Sequence, residues 1–195
     1  MKNTKKALLM TLCAVMLVAA SVMGTMAYLT STTEVVKNTF TVGNVVITLD
    51  EAKVNTDGSV VEGAARVTEN EYHLLPGHTY TKDPIVHVDA KSEECYLFVK
   101  VTNEIAAIEA ATTVADQMKA NGWTAVQGQD GVYAYNTTVK GGANVPVFGT
   151  VKVLETVDNK TLEAYADKTI TVVACAVQAD GLTQAQALEA AVFTK

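Results

Sequence analysis

The amino-acid sequence predicts a mainly β fold, an antiparallel β-sandwich with one or more helices inserted in its connections. Three observations carry this. About eight short segments are rich in β-branched and aromatic residues and end in turn residues. The helical patterns between them do not alternate regularly with the strands, which argues against a doubly wound parallel sheet. No repeat, low-complexity tract or linker interrupts the chain, so residues 28–195 read as one domain behind a removable leader.

The leader comes first. Lys2, Lys5 and Lys6 precede an uncharged run, Ala7–Ala20, broken only by Thr11, and Ser21–Ala27 is short and uncharged. That order of basic, apolar and small residues describes a secretory signal peptide. A spanning helix needs roughly 20 apolar residues, more than this run supplies. An uncleaved anchor and a cut after Ala20 are the competing readings. Thr25 and Ala27 stand where a signal peptidase requires small residues, which places cleavage between Ala27 and Tyr28. Removing residues 1–27 takes three lysines and no acid, leaving 12 basic and 21 acidic residues and a formal charge of −9. Such a surface disfavours nucleic acid and anionic membranes as partners and favours solubility outside the cell.

Tyr28–Val36 is Thr/Ser-rich and β-prone but has no evident partner within the chain. Phe40–Leu49 alternates in Val45, Ile47 and Leu49, with Gly43-Asn44 breaking the phase. Asp57-Gly58 marks a hairpin or loop, and Pro76-Gly77 suits the centre of a type II turn. Pro84 opens a strand at Ile85–Asp89, and Cys95–Val101 is the strongest strand pattern. Ile105–Asn121 is alanine-rich with helical spacing and a stop at Asn121-Gly122; the helix starts at Ile105 or only at Thr112 or Thr113. Strands follow at Trp123–Val126, Val132–Tyr135, Val145–Leu154 and Thr169–Gln178. A short helix spans Asp158–Ala166, and Thr183 caps a terminal one running through Ala191.

After cleavage Cys95 and Cys175 are the two remaining cysteines. Export would permit a disulfide, but alternation puts Cys95 on an inner face and Cys175 on the opposite side of its strand, which would forbid one. Motifs for zinc hydrolysis, serine hydrolysis, phosphate binding and dithiol chemistry are missing. The metal-ligand candidates are His73, His78 and His87, around the Pro76-Gly77 turn, with Glu71 or Asp89 to complete a set. Their spacing matches no metal motif, so they read as turn and strand residues; no catalytic residue and no cofactor is expected. Asp50-Glu51 and Glu93-Glu94 read as solvated strand ends. Trp123 reads as packing a helix end onto the sheet. Tyr133, Tyr135 and Tyr165 read as packing residues or a carbohydrate platform.

The segment Gly24–Thr30 (GTMAYLT) with Asn38–Val45 (NTFTVGNV) resembles the export signal and first strand of the TasA/camelysin family of Gram-positive surface and biofilm-matrix proteins. Leu75-Pro76-Gly77 with Lys82-Asp83-Pro84, then Tyr96–Val101, then Thr169–Val172 through Gln178–Gly181, are similar to that family too. The resemblance implies a jelly-roll sandwich, cleavage by a SipW-type signal peptidase and a secreted, cell-surface or matrix role. It further implies self-association by donor-strand exchange, with Leu29, Val35 and Val36 filling acceptor pockets, and contact with other matrix proteins. Camelysin implies a metallopeptidase alternative, for which this sequence offers no catalytic motif; a surface adhesion module is the third reading.

Overall fold

The computed structural model describes residues 44–193, all within the compact unit Val42–Lys195. The expected cleavage site at Ala27 and Tyr28, the donor-strand candidates Leu29, Val35 and Val36, and the strand start at Phe40 lie outside the described residues. Within them the fold is mainly β, with three antiparallel sheets. The strands are β1 (Ile47–Asp50), β2 (Thr79–Thr81), β3 (Ile85–Val88), β4 (Cys95–Asn103), β5 (Trp123–Ala125), β6 (Val132–Tyr135), β7 (Asn144–Pro146), β8 (Thr150–Lys152) and β9 (Ile170–Gln178). Three short helices join them: α1 (Val114–Ala120), α2 (Asn159–Glu163) and α3 (Gln184–Ala190). The sheets run β1-β3-β7, β2-β8 and β5-β6-β4-β9.

Side-chain alternation builds the core. Ile47 and Leu49 of β1 lie opposite Val88 and Val86 of β3, and Val145 of β7 joins them from the other side. In the long ladder, Cys95, Leu97, Val99 and Val101 of β4 turn inward beside Ala176, Ala174 and Val172 of β9. Tyr80, Val151, Val153 and Phe148 close the same cluster from the β2-β8 side. On the outer face of β4, Phe98 is also fully buried. Helix α3 explains this: it packs on β4 and β9 with Ala187 fully buried, and Tyr96 donates its hydroxyl to the Leu182 carbonyl at 3.2 Å.

Opposite partners in an antiparallel pair share a face, so the Phe98–Cys175 and Cys95–Gln178 pairings put the two thiols on opposite sides of the sheet. Both cysteines are free. Burial pushes the Cys95 thiol above its ordinary pKa, with a smaller push from Glu94.

One expectation is narrowed and one is corrected. Of the two starts open for the helix in Ile105–Asn121 the later one holds, and only Val114–Ala120 is α-helical. Ala106–Ile108 is a 3₁₀ turn, and Glu109 then bridges to Val153. Thr112 sits at φ +67°, which breaks the helical path, and Thr113 with Asp116 forms a capping box that fixes the true start. Val145–Leu154 is two strands in different sheets, because the chain crosses between sheets at Val147–Gly149. Side chains of α1 stand in for a strand there. The Gln117 carboxamide accepts from the Gly149 and Thr150 amides at 3.1 and 3.0 Å and donates to the Thr150 carbonyl at 2.8 Å. Asn121 donates to the Val147 carbonyl at 3.1 Å.

The Pro76-Gly77 turn forms as expected: the His78 amide donates to the Leu75 carbonyl at 3.3 Å, with Gly77 at φ +73°. Gly141 has a different constraint. A Cβ there would stand 2.8 Å from the Ser92 carbonyl oxygen and 2.9 Å from those of Ala90 and Asp89. Backbone oxygens cannot swing aside as a side chain can. Gly141→Ala is therefore expected to cost about 3 kcal/mol, read as a Tm drop of roughly 6–12 °C. A drop within the scatter of surface substitutions would show that the 89–92 loop yields freely.

Candidate functional site

Two features of the described residues stand out, an open strand edge and a charged cluster. The edge belongs to β9. It has a partner on one side only among the described residues, and it is nine residues long with no charge and no proline. The other edge strands run three or four residues. Exposed edges are usually shortened, charged or interrupted by proline because unpaired backbone groups recruit other strands; β9 has none of these protections.

The ladder's parity says which groups point outward. The Glu104 amide donates to the Thr169 carbonyl and the Ala179 amide to the Glu94 carbonyl. These narrow pairs continue along the β4–β9 register through Thr171, Val173, Cys175 and Val177. The N–H and C=O groups of Ile170, Val172, Ala174, Ala176 and Gln178 therefore face away from β4. Alternation alone identifies β9 as a core strand; that it lies at an edge depends on pairing partners dozens of residues away.

The charged cluster gathers where β1 ends. Arg66, the chain's only arginine, donates from Nε to Asp50 at 2.5 Å and from Nη1 to Asp83 at 3.0 Å. Its Nη2 also reaches the Asp50 and Asp83 carbonyls at 3.1 and 2.8 Å. Beside it, the Lys82 ammonium meets the Glu51 carboxylate at 2.8 Å, and Asn70 donates to the other Glu51 oxygen at 3.0 Å. Glu51 is only 5% exposed. Asp50 and Glu51 are thus built into the fold and are not the solvated strand end that the sequence suggests. Together these bonds fasten the long 51–78 connection to the sheet.

The electrostatics follow from these contacts. Burial alone would raise the Asp50 pKa, but the Arg66 and His87 hydrogen bonds outweigh it and hold the carboxyl below its ordinary range. Burial, reinforced by Glu51 and Asp83, lifts the Tyr72 phenol far above its ordinary range, and its hydroxyl donates to the Thr81 carbonyl at 3.0 Å. A single arginine among 15 basic residues was the available sequence signal, since a guanidinium fork suits two carboxylates as no lysine does.

The three histidines do not converge. His73 is exposed, and its carbonyl accepts the Tyr80 hydroxyl at 2.6 Å. His78 lies edge-on to Tyr80, with its Nε2 2.7 Å from the Asp57 carbonyl oxygen. His87 stands in the β1-β3-β7 sheet, between Asp50 and Asn144. Among the described residues no group of three or more His, Cys, Asp or Glu is placed to share a metal ion. Tyr133, Tyr135 and Tyr165 are partly buried against the core, with Tyr135 edge-on to Trp123 at 5.1 Å between ring centroids. No helix among the described residues is long and apolar enough to cross a membrane. Comparison of this chain with protein-family models, with curated proteins and with solved structures returned no match.

Proposed function

We propose that this chain is a secreted structural subunit of the bacterial cell surface or biofilm matrix, of the TasA/camelysin type. In this reading its three sheets form a jelly-roll sandwich, and copies assemble into fibres by exchange of the mature N-terminal segment. The observation that carries the reading is the edge of β9 that has no partner among the described residues, whose outward amides and carbonyls, from Ile170 to Gln178, can accept a further strand. Tyr28–Val36 supplies a β-prone strand of matching length, with Leu29, Val35 and Val36 to fill acceptor pockets. Each backbone bond added to the ladder contributes roughly 0.5–1.5 kcal/mol net. The net acidic mature chain and its signal peptide agree with a place outside the cell.

The test compares the mature protein, beginning at Tyr28, with a variant beginning at Asn38, by light scattering and electron microscopy. Fibres from the first and monomers from the second are expected. Ala174→Pro tests the acceptor side, because it removes an amide that points away from β4 and spares the existing ladder; it should cap growth likewise. Identical fibres from both lengths, or a mature protein that stays monomeric at high concentration, would overturn the reading.

A further inference from the structure

His87 occupies the middle strand of the β1-β3-β7 sheet, on its outer face. Its Nε2 lies 2.9 Å from the Asp50 carboxylate on β1, and its Nδ1 lies 2.6 Å from the Asn144 side-chain oxygen on β7. One ring therefore reaches both neighbouring strands, and at each end it meets an oxygen acceptor. An imidazole satisfies two acceptors only when both nitrogens carry protons, that is, as the imidazolium. We propose that His87 is a proton-operated clasp that ties β1 to β3 and β7, closed in mildly acidic surroundings and slackened above neutrality.

The surroundings favour the closed form on balance. The Asn144 and Asp50 hydrogen bonds raise the His87 pKa above its ordinary 6.5, against burial and the opposing charge of Arg66. Arg66 reaches in from the connection between β1 and β2, and it is itself neutralised by Asp50 and by Asp83 just ahead of β3. The Asn144 side contributes no charge. A group whose pKa is raised on folding stabilises the fold fully below its unfolded value and loses that contribution as pH rises through the folded one. When the proton leaves, one nitrogen becomes an acceptor facing an oxygen. The Asn144 carboxamide must then turn over to offer its NH₂, and the Asp50 contact falls from an ion pair to a neutral donor's bond to a carboxylate. Arg66 keeps Asp50 in place, so the sheet loosens without coming apart. The strand affected is β1, through which the chain enters the described fold from its N-terminal segment.

Hydrogen exchange on the mature protein, read by mass spectrometry, tests this. The measure is the protection of peptides covering β1 relative to those covering β4, which cancels the intrinsic pH dependence of exchange. The Thr48 amide is the key reporter, because Thr48 lies opposite His87 in a narrow pair of the β1–β3 ladder. Between pH 6 and pH 8.5 the ratio should fall about fivefold, the upper end of what losing a partly exposed ion pair costs. In His87→Gln, which cannot gain the proton, it should stay level. The His87 ring, followed by NMR in the unaltered protein, should titrate above 6.5 and keeps the test decisive should the variant fold poorly. A level ratio in the unaltered protein, an equal fall in the variant, or a ring midpoint at or below 6.5 would each overturn the clasp.

Discussion

Lys82→Met is expected to lower stability by about 3 kcal/mol, at the lower end of what breaking a buried ion pair costs. Both partners are well covered, with 14% of the Lys82 side chain and 6% of the Glu51 side chain exposed. Removing the ammonium leaves a carboxylate in the interior with Asn70 as its remaining side-chain donor. The methionine keeps most of the lysine's apolar stem beside Tyr72, so lost packing contributes little. The companion variant separates charge from shape: Glu51→Gln together with Lys82→Met should recover much of the loss, because no unpaired charge remains. Thermal or denaturant unfolding of the two single variants and the double measures the coupling directly. Strictly additive losses would mean that the pair contributes no interaction of its own.

The second large effect is at Trp123, where Trp123→Ala should cost about 3–5 kcal/mol. The indole is 1% exposed, lies edge-on to Tyr135 and donates its Nε1 hydrogen to the Pro146 carbonyl at 2.9 Å. It thereby joins the first residue of β5 to the last residue of β7, in another sheet. Trp123→Phe keeps much of the ring volume and removes the donor, leaving the Pro146 carbonyl short of a partner. That variant should cost about 1–3 kcal/mol. If Phe proves as damaging as Ala, the hydrogen bond dominates; if it is silent, the anchor is purely apolar. A loss below about 1 kcal/mol for Trp123→Ala would refute the anchoring role.

How much of this was legible in the sequence follows from the range of each interaction. The strands at Val132–Tyr135 and Ile170–Gln178, the Thr183 cap and the Pro76-Gly77 turn rest on neighbours within a few residues, and the sequence predicts them closely. The split of Val145–Leu154 was not legible, because its cause is a glutamine on α1 that satisfies two amides about 30 residues away. β2, three residues long, was missed because its pairing with β8 carries no local pattern. The three histidines lie within fifteen residues of one another in sequence, yet strand alternation and the turn send them to separate places. The charged cluster escaped for a related reason: Asp50 and Glu51 look solvated until the Arg66 and Lys82 segments fold across them. That β9 lies at a sheet edge among the described residues depends on the strand order, which local patterns do not encode.

The longest ladder has a consequence for timing. It joins residues 95–103 to residues 170–178, and the 66 residues of 104–169 lie between them. A ribosome adding about 5–20 residues per second needs roughly 3–13 s to bridge that interval. Throughout it, Leu97, Phe98 and Val99 of β4 exist without β9 and without α3, and β6, which pairs only with Phe98, Val99 and Lys100, is made partway through. Contacts so distant along the chain also close slowly once both halves exist. The nascent protein therefore passes through seconds in which its most apolar strand is paired on one side at most, and a holding factor that keeps it unfolded would act to greatest effect in that interval.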